Sequence, residues 1–312
     1  MSARAGARER ILVIKLGALG DFVQAMGPAA AIRAHHRQAD ITLLTSADYA
    51  GLARAAPYFD HVWIDRRPGW FNVRGWLELG RRLKGAGFTR VYDLQTSDRS
   101  SGYLRLFGRK RPEWSGIAKG ASHPHDNPAR DAMHTLERQA EQLAMAGIKK
   151  VPSPDLSWAA TDISRFNLPR RFLLLVPGGA RHRPEKRWPA GRYAQIAARA
   201  AQRGVTPVVL GGPDEAALGR EITRVCPAAR DLTGETSYGD LVALGRACRY
   251  ALGNDTGPMH LIVAGGASAT VLYSRASEPG QTAPRGPRVT ILRRERLGDL
   301  AVEEVAATLP LG

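Results

Sequence analysis

The sequence predicts an α/β protein built from two doubly wound parallel sheets. Three observations lead there. Short apolar runs rich in β-branched residues alternate with helical patterns along nearly the whole chain, glycine-rich or polar turns follow those runs, and the alternation is interrupted once, near residues 150–170. With 312 residues the chain is long for one core and suits two domains, read as 1–158 and 159–312.

The first half opens with the strand Ile11–Lys15, a turn Leu16-Gly17-Ala18-Leu19-Gly20, and a helix from Asp21 to about Ala34. Strands at Ile41–Leu44, His61–Ile64 and Val91–Leu94 follow, with helices from Ala47, from about Val73 and near Ser100. Residues 109–131 read as irregular, His134–Ala146 as a helix, and Val151–Pro154 with the polar stretch after it as a linker. The second half offers strands at Phe172–Val176, Val205–Leu210, Tyr250–Leu252, Ala269–Leu272 and Val289–Leu292. Its helices fall near Ala190–Gln202, Glu215–Val225, Tyr238–Arg246 and Pro258–Val263. A last helix, about Leu300–Leu309, has the option of packing back on the first half. Parallel sheets take ligands beyond the carboxyl ends of their strands, so two such halves facing across a cleft direct attention to the residues just after strands.

Hydrophobic residues make up 44% of the chain and charged residues 24%, a globular, soluble composition. The net charge of +16 favours anionic partners: phosphorylated substrates, an acidic membrane surface or nucleic acid. Cys226 and Cys248 have no metal or redox spacing and fit a reducing, cytoplasmic setting. No apolar run reaches membrane-spanning length, so contact with a membrane is expected to be peripheral.

Three segments after strands carry the chemistry. The turn holding Gly17 and Gly20 is neither a Walker loop nor a dinucleotide fingerprint, and it leads to Asp21, read both as a helix N-cap and as a general base. Pro177-Gly178-Gly179-Ala180-Arg181 and the following basic stretch to Lys186 offer backbone N–H groups and cations, the means by which proteins hold a diphosphate; a solvated basic loop is the plainer reading. Asn254-Asp255-Thr256-Gly257-Pro258-Met259-His260 starts a helix with Pro258 in its first turn, and reads as a phosphate site or as a capped helix over a buried His260. His123, His125, Asp126 and His134 are too loosely spaced for a metal site, and Trp63, Trp70 and Trp76 read as packing or acceptor-facing residues.

These residues resemble glycosyltransferase family 9, the ADP-heptose:lipopolysaccharide heptosyltransferases. The resemblance rests on Ile14-Lys15-Leu16-Gly17-Ala18-Leu19-Gly20-Asp21, on Val176–Ala180 with Glu185-Lys186-Arg187-Trp188-Pro189, on Asn254–His260, and on Asp93-Leu94-Gln95 followed by Ser100 and Ser101. It implies a GT-B fold of two Rossmann-like domains, the acceptor on the N-terminal side and the nucleotide sugar on the C-terminal side, with inverting, metal-independent transfer of a heptose from ADP-L-glycero-D-manno-heptose to the lipopolysaccharide inner core. On this resemblance Asp21 is the general base, and Gly17, Gly20 and Gln95 lie on the acceptor side. Lys186 holds the diphosphate and Asp255 the sugar hydroxyls; Thr256, Gly257, His260, Gly178, Gly179, Arg181, Thr233 and Gly234 complete the donor site. No metal or other cofactor is implied, since the nucleotide sugar is a substrate. The chain departs from the family pattern in Lys15, where many relatives have Arg, and at Tyr273–Pro279, a segment that bears on the donor sugar.

The chemistry agrees with that resemblance. The chain has no Asp-x-Asp motif, so leaving-group charge falls to cations and helix N-termini. Arg66, Arg67, Arg74, Arg81, Arg82 and Lys84 suit an anionic, lipid-linked saccharide acceptor at the cytoplasmic face of the inner membrane, and read equally as solvated helix and loop faces. The alternatives are the same fold and chemistry with another sugar or acceptor, and a non-catalytic nucleotide-sugar or polyanion binder. No nucleic-acid partner is expected, because the charge is spread and no binding motif accompanies it.

Overall fold

The computed structural model describes residues 8–180, 182–286 and 288–310. The chain forms two compact units, one of residues up to 18 with 24–154, the other of residues 19–23 with 155 onward.

In the first unit the strands are β1 (Arg10–Ile14), β2 (Asp40–Thr45), β3 (His61–Ile64), β4 (Arg90–Asp93), β5 (Glu113–Gly116) and β6 (His123–Pro124). Its helices are α1 (Leu19–Gln24), most of which packs with the second unit, then α2 (Met26–His35), α3 (Ala50–Ala55), α4 (Val73–Gly85), α5 (Asp98–Leu106) and α6 (Thr135–Met145). The sheet is parallel, in the order β3-β2-β1-β4-β5-β6. β1 and β2 are buried along most of their length, as strands of a sheet covered on both faces must be. Leu12, Ile14, Leu44, Leu83, Val91, Tyr103 and Trp114 form a core under α4 and α5, while α2 lies against α6.

The second unit has β7 (Phe172–Val176), β8 (Thr206–Val209), β9 (Arg230–Asp231), β10 (Tyr250–Asn254), β11 (Ala269–Tyr273) and β12 (Val289–Arg293). Its helices are α7 (Ala190–Gln202), α8 (Ala216–Val225), α9 (Tyr238–Ala247), α10 (Gly257–Ala264), α11 (Pro279–Thr282) and α12 (Val302–Ala307). The order β12-β11-β10-β7-β8-β9 repeats the arrangement of the first sheet. Both are the doubly wound order of nucleotide-binding sheets, with a switch point between β1 and β4 and another between β7 and β10.

Several expected elements differ. The helix expected over residues 21–34 is two helices meeting at Ala25, because Pro28 has no N–H to offer the carbonyl of Gln24. The first of them starts at Leu19, so Asp21 lies inside its first turn and is not its N-cap. The stretch 109–131 contains β5 and β6. The last helix packs on α7 of its own unit, with Val302, Val305 and Leu309 in the core that contains Leu173, Tyr193 and Ile222. The segment after Pro154 is docked: the buried Asp240 accepts from Arg165 at 2.7 Å and from Thr161 at 2.8 Å.

Candidate functional site

At the first switch point β1 is followed directly by the buried Lys15, whose Nζ donates to the Leu94 carbonyl at 3.1 Å. The backbone N–H groups of Leu16 and Gly17 both donate to Oε1 of Gln95, at 2.8 and 3.2 Å. Gln95 thus ties the end of β4 to the end of β1. Gly17 has φ +133 and a Cβ there would come within 2.9 Å of Tyr49, so glycine is required twice over. Arg67 reaches the same turn, donating to the Leu16 carbonyl at 2.8 Å.

Beside this turn Asp93 has no solvent exposure. Burial pushes its carboxyl up to about 6, against hydrogen bonds from the Thr96 and Gln95 N–H groups, the nearby Ser100 hydroxyl and the charge of Lys15, which pull it down. The folded protein therefore holds this proton more tightly than the unfolded chain. Stability is expected to fall by roughly 3 kcal/mol as pH rises from about 4 to about 6 and to stay at that level above. Urea denaturation across this range should show that slope in the wild type and lose it in Asp93→Asn; an unchanged slope would assign the proton to another group.

At the second switch point Asn254, fully buried at the end of β10, performs the matching tie. Its Nδ2 donates to the carbonyls of Pro177 and Gly178, and its Oδ1 accepts from Trp188 N–H and the Tyr193 hydroxyl, all within 2.8–3.1 Å. Every hydrogen-bonding position of the amide is used, and the loop from Pro177 to Trp188 is fixed to the sheet at both ends. Lys186, closing a 3₁₀ turn in that loop, donates to Asp255 Oδ2 at 2.6 Å. Both side chains are mostly buried. Burial pushes the Asp255 carboxyl up, but the hydrogen bond and charge of Lys186, with the hydroxyls of Ser277 and Tyr273 nearby, outweigh it and leave Asp255 below the usual carboxylate range. Burial, and then the Asp255 charge, push the Tyr273 phenol up and keep it protonated.

Thr256 precedes α10 in an extended conformation and its side chain makes no capping hydrogen bond, so the helix N-terminus is not closed by its own hydroxyl. The turn of Asp21 packs on this motif. A Cβ on Gly20 would come within 2.8 Å of the His260 ring, and one on Gly257 within 2.8 Å of Leu19. His260 is buried. The second unit therefore brings together Gly20 and the turn carrying Asp21, Lys186, and Asp255 through His260, while Gly17 and Gln95 belong to the first switch point.

The remaining glycine positions gather around a carboxylate that sequence reading missed. Glu215 accepts from Gly179 N–H and from Gly212 N–H, each at 2.8 Å, and a Cβ on Gly178 would overlap it. Thr233 lies against Gly211, and Gly234 N–H donates to the Gly211 carbonyl at 2.8 Å. The expectation that Gly178 and Gly179 offer N–H groups outward is thus altered at Gly179, whose N–H is taken by Glu215. Gly211-Gly212-Pro213 follows a strand as Pro177-Gly178-Gly179 does, and that parallel was the available signal for Glu215. Arg181 lies outside the described residues.

Among the described residues no three His, Cys, Asp or Glu side chains group as metal ligands. His125 is buried 3.6 Å from Glu141, and His134 accepts the Leu136 N–H at the start of α6. Trp63 and Trp76 are half-buried, under the guanidinium groups of Arg82 and Arg99, while Trp70 is exposed.

The profile of glycosyltransferase family 9 (heptosyltransferase) matches residues 76–306. The chain is 26% identical to lipopolysaccharide heptosyltransferase 2 of Salmonella typhimurium, over 94% of this chain and 92% of that protein. It is 25% identical to the lipopolysaccharide core heptosyltransferase OpsX of Haemophilus influenzae, over 89% of this chain and 82% of that protein. The structure of the E. coli ADP-heptose lipopolysaccharide heptosyltransferase II is alike in fold, with a TM-score of 0.79 over 96% of this chain and 97% of that one at 23% identity. With two doubly wound parallel sheets, as its alternating pattern predicted, and a family match across most of its length, the chain belongs to glycosyltransferase family 9 and is a glycosyltransferase.

Proposed function

We propose that the protein is an inverting, metal-independent heptosyltransferase that moves a heptose from ADP-L-glycero-D-manno-heptose to the lipopolysaccharide inner core at the cytoplasmic face of the inner membrane. The acceptor is an anionic, lipid-linked saccharide. Asp21 takes the proton of an acceptor hydroxyl as that oxygen attacks the anomeric carbon and the bond to the β-phosphate oxygen breaks. ADP leaves with its growing charge met by Lys186 and the N-terminus of α10. Asp255, ionised at neutral pH, accepts hydrogen bonds from the sugar hydroxyls.

The observation that supports this most strongly is the Lys186–Asp255 pair at a switch point, next to the uncapped start of α10 and on the motif against which the Asp21 turn packs. One mostly buried cation and one mostly buried carboxylate fit a ligand that carries both a diphosphate and a polyhydroxylated ring. The relatives are named for lipopolysaccharide heptosyl transfer, which favours that donor and acceptor over others.

The test is transfer itself. ADP-heptose and a heptose-free inner-core acceptor, incubated with the enzyme and a chelator, should give a heptosylated product whose anomeric centre is inverted relative to the donor. Transfer abolished by the chelator and restored by a divalent ion would remove the metal-free step. Retention of configuration would remove Asp21 as base.

A further inference from the structure

We infer that the turn Pro68–Asn72 and the first turns of α4 form a membrane-docking surface that inserts aromatic side chains into an anionic lipid bilayer. The apolar tip is unusual for a water-facing surface. Trp70 is 83% exposed and Phe71 99%, with Val73 and Leu77 exposed beside them. Other large aromatic residues of the unit, such as Trp63, Trp76, Tyr103 and Trp114, pack inward.

This tip is held in shape. Arg99 donates to the Pro68 carbonyl at 3.2 Å, the Trp76 indole to the Gly69 carbonyl at 3.1 Å, and the Asn72 side chain caps α4 by accepting from Gly75 N–H at 2.8 Å. Three fixed points on a five-residue turn display Trp70 and Phe71 outward rather than letting them fold back. Behind them α4 anchors to the core through Leu79 and Leu83.

Charge selects the occupant. Beside the tip is a cleft lined by Arg66, Arg74 and Arg82 together with Glu78 and the buried Asp65, which accepts from the Tyr103 hydroxyl, so cations outnumber acids. In a second groove Trp70 is joined by Arg105, Arg111 and Lys119, with Asp98 the acid in that lining. Exposed aromatic side chains ringed by arginines match the interface of a bilayer with anionic headgroups, where rings sit at headgroup depth and cations meet phosphates. A protein partner would not require cations in both grooves. The inference extends the reading of a lipid-linked acceptor by naming the surface that meets the membrane.

Vesicle flotation tests it, with vesicles of phosphatidylglycerol and phosphatidylethanolamine against neutral phosphatidylcholine, and no saccharide in either. The full-length wild type should float with the anionic vesicles only, and less at high salt. Trp70→Ser with Phe71→Ser should weaken this by at least roughly tenfold while leaving ADP affinity unchanged. Arg66→Glu with Arg74→Glu should weaken it by roughly fivefold or more for each charge. No flotation, equal flotation with neutral vesicles, or a double aromatic variant that floats like the wild type would overturn the inference. So would self-association of the wild type that disappears in that variant, which would give the tip to a second copy. Because the vesicles carry no acceptor, failure here leaves the transferase chemistry untouched.

Discussion

Lys186→Ala is expected to weaken ADP binding by roughly 10- to 100-fold, the worth of one charge-assisted hydrogen bond to a phosphate. Its effect on kcat/KM is expected to be larger, on the order of a thousandfold, because charge on the leaving diphosphate is greatest in the transition state. The variant has a second consequence inside the protein. Asp255 would keep its burial and lose the cation 2.6 Å away that outweighs it, so its carboxyl would rise and the site would lose stability. Combining Lys186→Ala with Asp255→Asn separates the two effects. The double variant should recover thermal stability, since no uncompensated carboxylate remains, and should not recover ADP affinity. Recovery of both would reduce Lys186 to a structural ion-pair partner. Isothermal titration and thermal denaturation of the three variants decide the matter.

Asp21→Asn is expected to lower kcat by roughly a thousandfold, within the range that general bases supply, and to leave ADP affinity within about twofold of the wild type. The substitution keeps size and hydrogen-bonding shape in the first turn of α1. The neighbouring contacts of Leu19 with Gly257 and of Gly20 with His260 do not depend on the carboxylate, so the fold should be kept. This split, turnover lost and donor binding kept, differs from the Lys186 pattern, in which donor binding falls as well. A variant retaining a tenth or more of wild-type turnover would take Asp21 out of the proton transfer.

The sequence made much of this legible where the determining pattern is local. Fully apolar runs such as Phe172–Val176 declare buried parallel strands, and glycine or polar residues directly after them mark the ligand end of a sheet. Lys186 and Asp255 could be singled out because each follows such a run. What escaped was set by contacts distant in sequence. Glu215 reaches the Gly179 loop from the loop after a neighbouring strand, 36 positions on. Gln95 was singled out by its motif, but its tie across 79 residues to the turn after β1 was not. β9, Arg230–Asp231, is too short and polar to announce itself by periodicity. The display of Trp70 depends on which carbonyls Arg99 and Trp76 bind, and a string of residues does not reveal that.

Titration of the wild-type protein with ADP, UDP and GDP in the presence of a chelator tests most directly whether Lys186 and Asp255 form the core of a donor site. Saturable binding of ADP, tighter than that of UDP or GDP and indifferent to the chelator, is the predicted result. Preference for UDP or GDP, or binding that requires a divalent ion, would contradict it.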